Sequence, residues 1–292
     1  MSANIAGVAA PLDPMRRSIV RRSRPGWPEV GRTFAVAAVG AFVFVPLAIL
    51  GLYSLSDQWN APHLLPTAYT IKWYDYLFHY EGGLSGVVQS TLVAAATTVF
   101  TMLVGLPAAY ALARYRFRGR RVLEMALLAK TAIPVILVGV GTASLFYTWG
   151  LHDTFVGLVA AHSVGALPLQ VWTAAAAFQR VDVSGEEAAR DLGASFIRRF
   201  VEIVLPGALP GIIASAILVF LFSMDEFTVT FFVSGVAYTT MPLRLYSALN
   251  SGYIEPAAAS AMILLMPSVL YLGLVLRYFG SSELRGGLGN LG

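Results

Sequence analysis

Glu187–Pro206 reads EAARDLGASFIRRFVEIVLP, a charged interruption between two long apolar segments. Just before it, Ser184-Gly185-Glu186-Glu187 has the spacing of a capping box, with Ser184 capping a helix start and Glu187 reaching back to it. Glu186 and Glu187 then fall in the first turn, where the helix dipole favours negative charge. Ala188, Ala189 and Arg190 propagate helix well, and Gly193 is placed for a left-handed stop. A second helix is expected over Ser195 to Val204, closed by Leu205-Pro206. Two short helices at an angle, with Ala188, Ala189, Leu192, Phe196 and Ile197 near the bend, make a knob that suits a groove in another protein.

The flanks of this stretch are built for lipid. A transmembrane helix needs about 20 apolar residues. Working outward, Gly207 to Val233 and Thr154–Phe178 each supply that length. Further away, Val122–Tyr147, Gly86–Ala113, Thr33–Leu55 and Pro256–Phe279 do the same, giving six expected spans. Residues 56–85 form a polar, aromatic connection with Trp59, Trp73, Tyr74 and Tyr76, suited to the membrane interface. The chain divides accordingly into a basic tail (1–32), a six-helix domain (33–280) containing the charged loop 180–206, and a glycine-rich tail (281–292).

Composition agrees. Charged residues make up 12% of the 292 and hydrophobic ones 57%, with mean hydropathy +0.69. Soluble domains carry about 25% charged residues. The absence of cysteine excludes disulfides, thiol catalysis and cysteine metal sites. His63, His79, His152 and His162 have no metal-ligand spacing and read as interface or packing residues. The net charge of +4 does not point to nucleic acid, because the basic residues sit in short loops beside apolar spans. Neither lysine, Lys72 or Lys130, belongs to a GK[ST] phosphate loop, and no H-E-x-x-H or G-x-S-x-G occurs. The chain therefore reads as a non-enzyme.

Arginine placement sets the orientation. Arg16, Arg17, Arg21, Arg22, Arg24 and Arg32 crowd the N-terminal tail, and Arg114, Arg116, Arg118, Arg120 and Arg121 the loop before the third span. The charged loop and the C-terminal end add more on the same side, against Lys72 and Arg244 on the other. The positive-inside rule puts both termini and the loop 180–206 in the cytoplasm.

The positions Glu187, Ala188, Ala189, Gly193, Ile203, Leu205 and Pro206 resemble the cytoplasmic signature loop of ABC importer permeases, EAA-x3-G-x9-I-x-L-P, at every residue and spacing. Tyr115-Arg116-Phe117-Arg118-Gly119, Ser223-Met224-Asp225-Glu226 and Met241-Pro242-Leu243-Arg244-Leu245-Tyr246-Ser247 are similar to the spermidine/putrescine branch of that family. The resemblance implies an all-α polytopic membrane protein of six transmembrane helices, with the type I ABC importer permease fold. The seven loop positions would couple it to an ATPase. Implied partners are a second permease subunit of a different chain, an ATPase dimer and a substrate-binding protein. The implied location is the bacterial cytoplasmic (inner) membrane. ATP and Mg would be bound by the partner ATPase, leaving this chain without a cofactor. A stand-alone secondary transporter or channel would also explain six spans, but not the signature loop.

Three charged residues inside spans bear on the cargo. Asp225 lies 18 residues after Gly207, about 27 Å along a helix, near the outer end of the fifth span. Acids within spans face pathways or partners. Asp225 and Glu226 point about 100° apart, so at most one faces a pathway squarely. Lys130 sits about 9 Å deeper than Glu124 and is expected to snorkel or to pair with an acid. The branch resemblance implies a polyamine cargo, for which an acid is expected after the third-span proline; here Pro134 is followed by Val135. A zwitterionic or anionic amino compound is the alternative.

Overall fold

The computed structural model of the protein describes residues 29–60, 62–79 and 83–279. Most of the expected N-terminal tail and all of the 281–292 tail lie outside these residues. Among the described residues all regular elements are helices, apart from one isolated bridge, Ser56 to Tyr69. Two compact units are distinguished, Met1–Ala48 and Ile49–Gly292. Helix α1 (Glu29–Ser54) starts four residues before the expected Thr33 and is uncharged from there on.

In the second unit, α2 (Lys72–His79) is a short amphipathic helix within the aromatic connection. Trp73 Nε1 donates to the Ser56 carbonyl at 2.7 Å and the Tyr74 hydroxyl to Ser54 Oγ at 2.9 Å, tying that connection down. Helix α3 (Gly83–Arg114) follows, then α4 (Arg120–Ala132), α5 (Val135–Trp149) and α6 (Phe155–Arg180). Helices α7 (Val183–Asp191) and α8 (Phe196–Arg199) form the charged loop, and a π-helical turn, Phe200–Val204, leads into α9 (Leu205–Asp225). Helices α10 (Thr228–Val233), α11 (Met241–Asn250) and α12 (Ile254–Phe279) complete the order.

The core sits where α3, α6 and α9 meet. At one end Ala109, Tyr110, Val171, Ala174, Phe178 and Ala208 close it. At the other, α5, α6 and α10 interlock through Phe146, Leu158, Ala161, Val229 and Val233. Small residues let the backbones approach, as in membrane helix pairs generally. A Cβ on Gly211 of α9 would land on the Ala177 methyl of α6. A Cβ on Gly105 of α3 would meet the Gln170 amide, and Gln170 is fully buried.

The count of six spans is not met. Four helices among the described residues are long and apolar enough to cross a membrane, or five if α4 and α5 count as one broken span. The expected third span breaks by 105° between Ala132 and Val135. Pro134 pushes Ile133 out of the helical region, to ψ 129°. The expected fifth span also breaks. Its helix ends at Asp225, and the non-helical Glu226-Phe227 separates α9 from α10. In α12 only Ile254–Leu270 qualifies as apolar helix among the described residues, short of a full span.

Candidate functional site

The charged loop begins with a cap two residues earlier than the Ser184 expectation. Asp182 is the N-cap residue, accepting from the Ser184 backbone N–H at 3.0 Å and from the Ser184 hydroxyl. The Ser184 hydroxyl and then its N–H hold the Asp182 carboxyl below its ordinary pKa. Asp rivals Ser as a cap, so once α7 starts at Val183 the expected Ser184–Glu187 box does not form, and Glu187 is exposed on the helix.

Its neighbour Glu186 turns inward instead. The Glu186 carboxylate accepts from the Tyr110 hydroxyl at 2.8 Å and pairs with Arg114 Nε at 3.5 Å. Arg114 Nη2 also donates to the Val181 carbonyl at 2.8 Å. Tyr110 is ringed by Phe200 at 5.1 Å, Phe178 at 5.3 Å, Tyr115 at 5.7 Å and Phe196 at 6.0 Å between ring centres. An aromatic socket on α3 and α6 thus grips the root of the loop.

The turn at Gly193 is left-handed, φ 81°. Gly193 N–H donates to the Arg190 carbonyl and Ala194 N–H to the Ala189 carbonyl, both at 2.9 Å. This is the Schellman arrangement, which satisfies the last carbonyls of α7. Ser195 caps α8 by accepting from Arg198 N–H. The expected stop at Leu205-Pro206 does not occur. Pro206 has no N–H to continue an ordinary ladder, and the wide π turn, with Leu205 N–H bonded to Phe200, carries the helix past it. Phe196–Asp225 is one continuous helix of 30 residues.

The seven signature positions therefore divide. Glu187, Ala188 and Gly193 are exposed, as are Leu192, Phe196 and Ile197 around them. Ala189, Ile203 and Leu205 are half-buried, with an Ile203 methyl beside Gly185. Pro206 is exposed at the start of α9.

At the opposite end of α9, Asp225 is exposed and accepts no hydrogen bond from any described residue. Glu226 has a structural role: its Oε1 accepts from Val229 N–H at 2.8 Å and starts α10. Of the two expectations for Lys130, snorkelling or an acid partner, the described residues supply no ion pair to it; Glu124 pairs with Arg120 at 2.9 Å. The Lys130 ammonium lies 5.7 Å from the Phe222 ring centre, a cation–π contact. Phe222 and Asp225 are three residues apart on α9, so they neighbour each other on its surface.

Two features escaped the sequence reading. Asp153, at φ 52°, accepts from Gly235 and Ala237 N–H at 2.9 Å and Tyr238 N–H at 3.0 Å, latching the α5–α6 turn to the α10–α11 loop. Partial burial pushes its pKa up, but the backbone donors outweigh it and hold the carboxyl below its ordinary value. His162 bonds to Ser223 and Thr230 from the centre of the fold. Neither residue has a local motif, because its partners lie on elements distant in sequence. Among the described residues no group of three or more His, Asp or Glu could hold a metal ion.

Comparison with known proteins adds relatives to this geometry. The family described as "Binding-protein-dependent transport system inner membrane component" matches residues 101–282. The spermidine/putrescine transport system permease protein PotC of Escherichia coli (strain K12) is 32% identical over 240 residues, covering 80% of this chain and 88% of PotC. A putative 2-aminoethylphosphonate transport system permease protein, PhnV, of Salmonella choleraesuis (strain SC-B67) is 29% identical, covering 85% of this chain and 95% of PhnV. Among solved structures, a bacterial ABC transporter involved in import of the acidic polysaccharide alginate has the same fold. Its TM-score is 0.63 at 20% identity, over 87% of this chain and 99% of that one.

Proposed function

Because the chain belongs to the family of binding-protein-dependent transport system inner membrane components, we propose that it forms half of the translocation pathway of an ABC importer for a small polyamine. It is a multi-pass permease subunit and not an enzyme; ATP hydrolysis belongs to a partner subunit. In this reading it pairs with a second permease of different sequence, an ATPase dimer docks on α7 and α8, and a binding protein delivers cargo from outside. Both termini are cytoplasmic, and α12 together with the broken α4–α5 pair brings the spans to six.

The observation that carries the reading is the anchored loop. Glu186 and Arg114 fasten its root, while Glu187, Leu192 and Ile197 are exposed with no partner among the described residues, and the same helix runs on into α9. Support for a polyamine comes from the PotC relative and from the exposed Asp225 carboxylate, since a cation crossing apolar helices needs acids along its route. The second reading, a zwitterionic or anionic amino compound, is favoured by Lys130, whose ammonium rests on Phe222 without an acid partner among the described residues, and by the PhnV relative.

The test has two arms. Affinity-tagged protein purified from its native membrane should carry an ATPase, and Glu187→Lys should release it; a chain that purifies alone would overturn the importer assignment. Uptake of labelled spermidine and of labelled 2-aminoethylphosphonate is then measured in Asp225→Asn and Lys130→Met. Loss of spermidine uptake in Asp225→Asn alone supports the polyamine, and loss of phosphonate uptake in Lys130→Met alone supports the second reading. A reporter fused after Gly292 should read cytoplasmic.

A further inference from the structure

His162 is 1% exposed on α6 and is engaged at both ring nitrogens. Nδ1 lies 2.7 Å from Ser223 Oγ on α9, and Nε2 lies 2.8 Å from Thr230 Oγ1 on α10. The Thr230 hydroxyl proton is already committed to the Glu226 carbonyl at 3.0 Å. Thr230 Oγ1 can therefore only accept from the ring, so Nε2 carries a proton. Neither hydroxyl partner is a carboxylate, and the Ser223 backbone that also faces the ring carries no net charge, so a doubly protonated ring would be a buried cation without a counter-ion among the described residues. The ring is then neutral, and Nδ1 accepts from the Ser223 hydroxyl.

The donors run in one direction: Ser223 O–H to Nδ1, Nε2–H to Thr230, Thr230 O–H to the Glu226 carbonyl. Ser223 on α9 and Thr230 on α10 stand on either side of the place where helical continuity is lost, and the relay ends at the Glu226 carbonyl within it. Glu226 has ψ 109°, outside the helical range, and α9 and α10 share no ordinary ladder there. With no ladder between them, side-chain contacts set the angle of the two helix ends: Val229 and Val233 pack against α5 and α6, Glu226 caps α10, and the relay ties both ends to α6. Ser223 and Thr230 are themselves buried, at 2% and 0% exposure, so no water competes for the relay.

We propose that His162 is the positioning residue of this joint, fixing the angle between α9 and α10 through a directional hydroxyl–imidazole–hydroxyl relay. The inference is independent of which cargo is carried and of any role for Asp225.

Because the chain has no cysteine, a single pair of spin labels can be placed across the joint, by Ile213→Cys on α9 and Phe231→Cys on α10, both exposed positions. Interspin distances are measured in the complete transporter reconstituted in lipid. The otherwise native chain should give one narrow distribution. His162→Leu, which keeps volume and removes both bonds, should broaden it to two or more populations. His162→Gln, whose amide still donates towards Thr230, should restore most of the narrow component. Thr230→Val, which deletes the hydroxyl that accepts from the ring and donates to the Glu226 carbonyl, should broaden it, and adding His162→Leu to Thr230→Val should broaden it little further. A narrow distribution in Thr230→Val, or equal broadening in His162→Gln and His162→Leu, overturns the proposal. If His162→Leu fails to assemble, Thr230→Val and His162→Gln alone decide it.

Discussion

The Tyr110 hydroxyl on α3 donates to the Glu186 carboxylate on α7 at 2.8 Å, and Arg114, one turn along α3 from Tyr110, faces the same carboxylate. Of the two adjacent glutamates, the one inside the signature triplet is free for a partner and the one before it holds the loop to the membrane helices. Glu186→Ala should destabilise the fold by about 3–5 kcal/mol, the usual cost of leaving a buried charge unpaired. Tyr110→Phe should cost about 1.5–3 kcal/mol, the usual worth of a hydrogen bond to a charged group. Glu187→Lys should leave thermal stability unchanged and weaken only ATPase retention. Thermal denaturation of the purified subunit together with ATPase copurification separates these effects; a destabilised Glu187→Lys would place that residue in the fold's own framework instead.

Gly193→Val should disturb the loop more than Gly193→Ala. Both force a side chain into the φ 81° region, at about 1–3 kcal/mol of local strain, and a β-branched residue tolerates it least. No heavy atom lies near the added Cβ, so the damage is conformational rather than steric. Stimulated ATP hydrolysis in the complete transporter is the readout, and equal activity in the two variants would remove the left-handed turn from the mechanism.

The Asp153 latch gives a pH signature. Its folded-state pKa is depressed, so its stabilisation is complete above the unfolded-state value of about 3.9 and is lost as pH falls through the lower folded value. Asp153→Asn keeps an oxygen acceptor for Gly235 and Tyr238 but sets an amide N–H2 against Ala237 N–H. The variant should be less stable at neutral pH, and the gap to the native chain should narrow as pH falls below the unfolded-state value of about 3.9 and through the lower folded value. Thermal scans of both proteins through that range measure it.

Gly211→Ala should open the α6–α9 seam. Its new methyl would fall on the Ala177 methyl, which has no rotamer to yield. A cost of about 1–3 kcal/mol is expected, and Ala177→Gly in the same chain should recover most of it. Absence of that rescue would mean the seam yields elsewhere.

What the sequence revealed and what it hid follow from the range of the interactions. The Gly193 turn was legible because a left-handed stop needs only the glycine and its neighbours, and the helix lengths of α3 and α6 were legible from apolar runs. The helix start was misplaced because Asp182 and Ser184 are both competent caps and only the three-dimensional exit from α6 decides between them. Pro206 reads as a stop, yet the π turn lets the helix pass, a choice made by packing against α3 and α6. Pro134 displaces Ile133 from the helical region, but a proline within an apolar run also fits a kinked continuous span, so the α4–α5 break is not decided by the sequence alone. Asp153, His162 and the Tyr110–Glu186 bond join residues between 61 and 85 positions apart, and nothing local in the sequence marks such pairs.

The absence of a stop at Pro206 has a mechanical consequence. Phe196–Asp225 has the shape of a lever of 30 residues, about 45 Å long at 1.5 Å per residue. Its handle is the exposed α8, and its far tip carries Asp225 beside the wrist at Glu226-Phe227. A tilt of only about 5° imposed at the handle sweeps the tip through about 4 Å, comparable with the rise of three helical residues. Had Leu205-Pro206 ended the helix, the same push would have been absorbed by a loop a short distance from where it was applied.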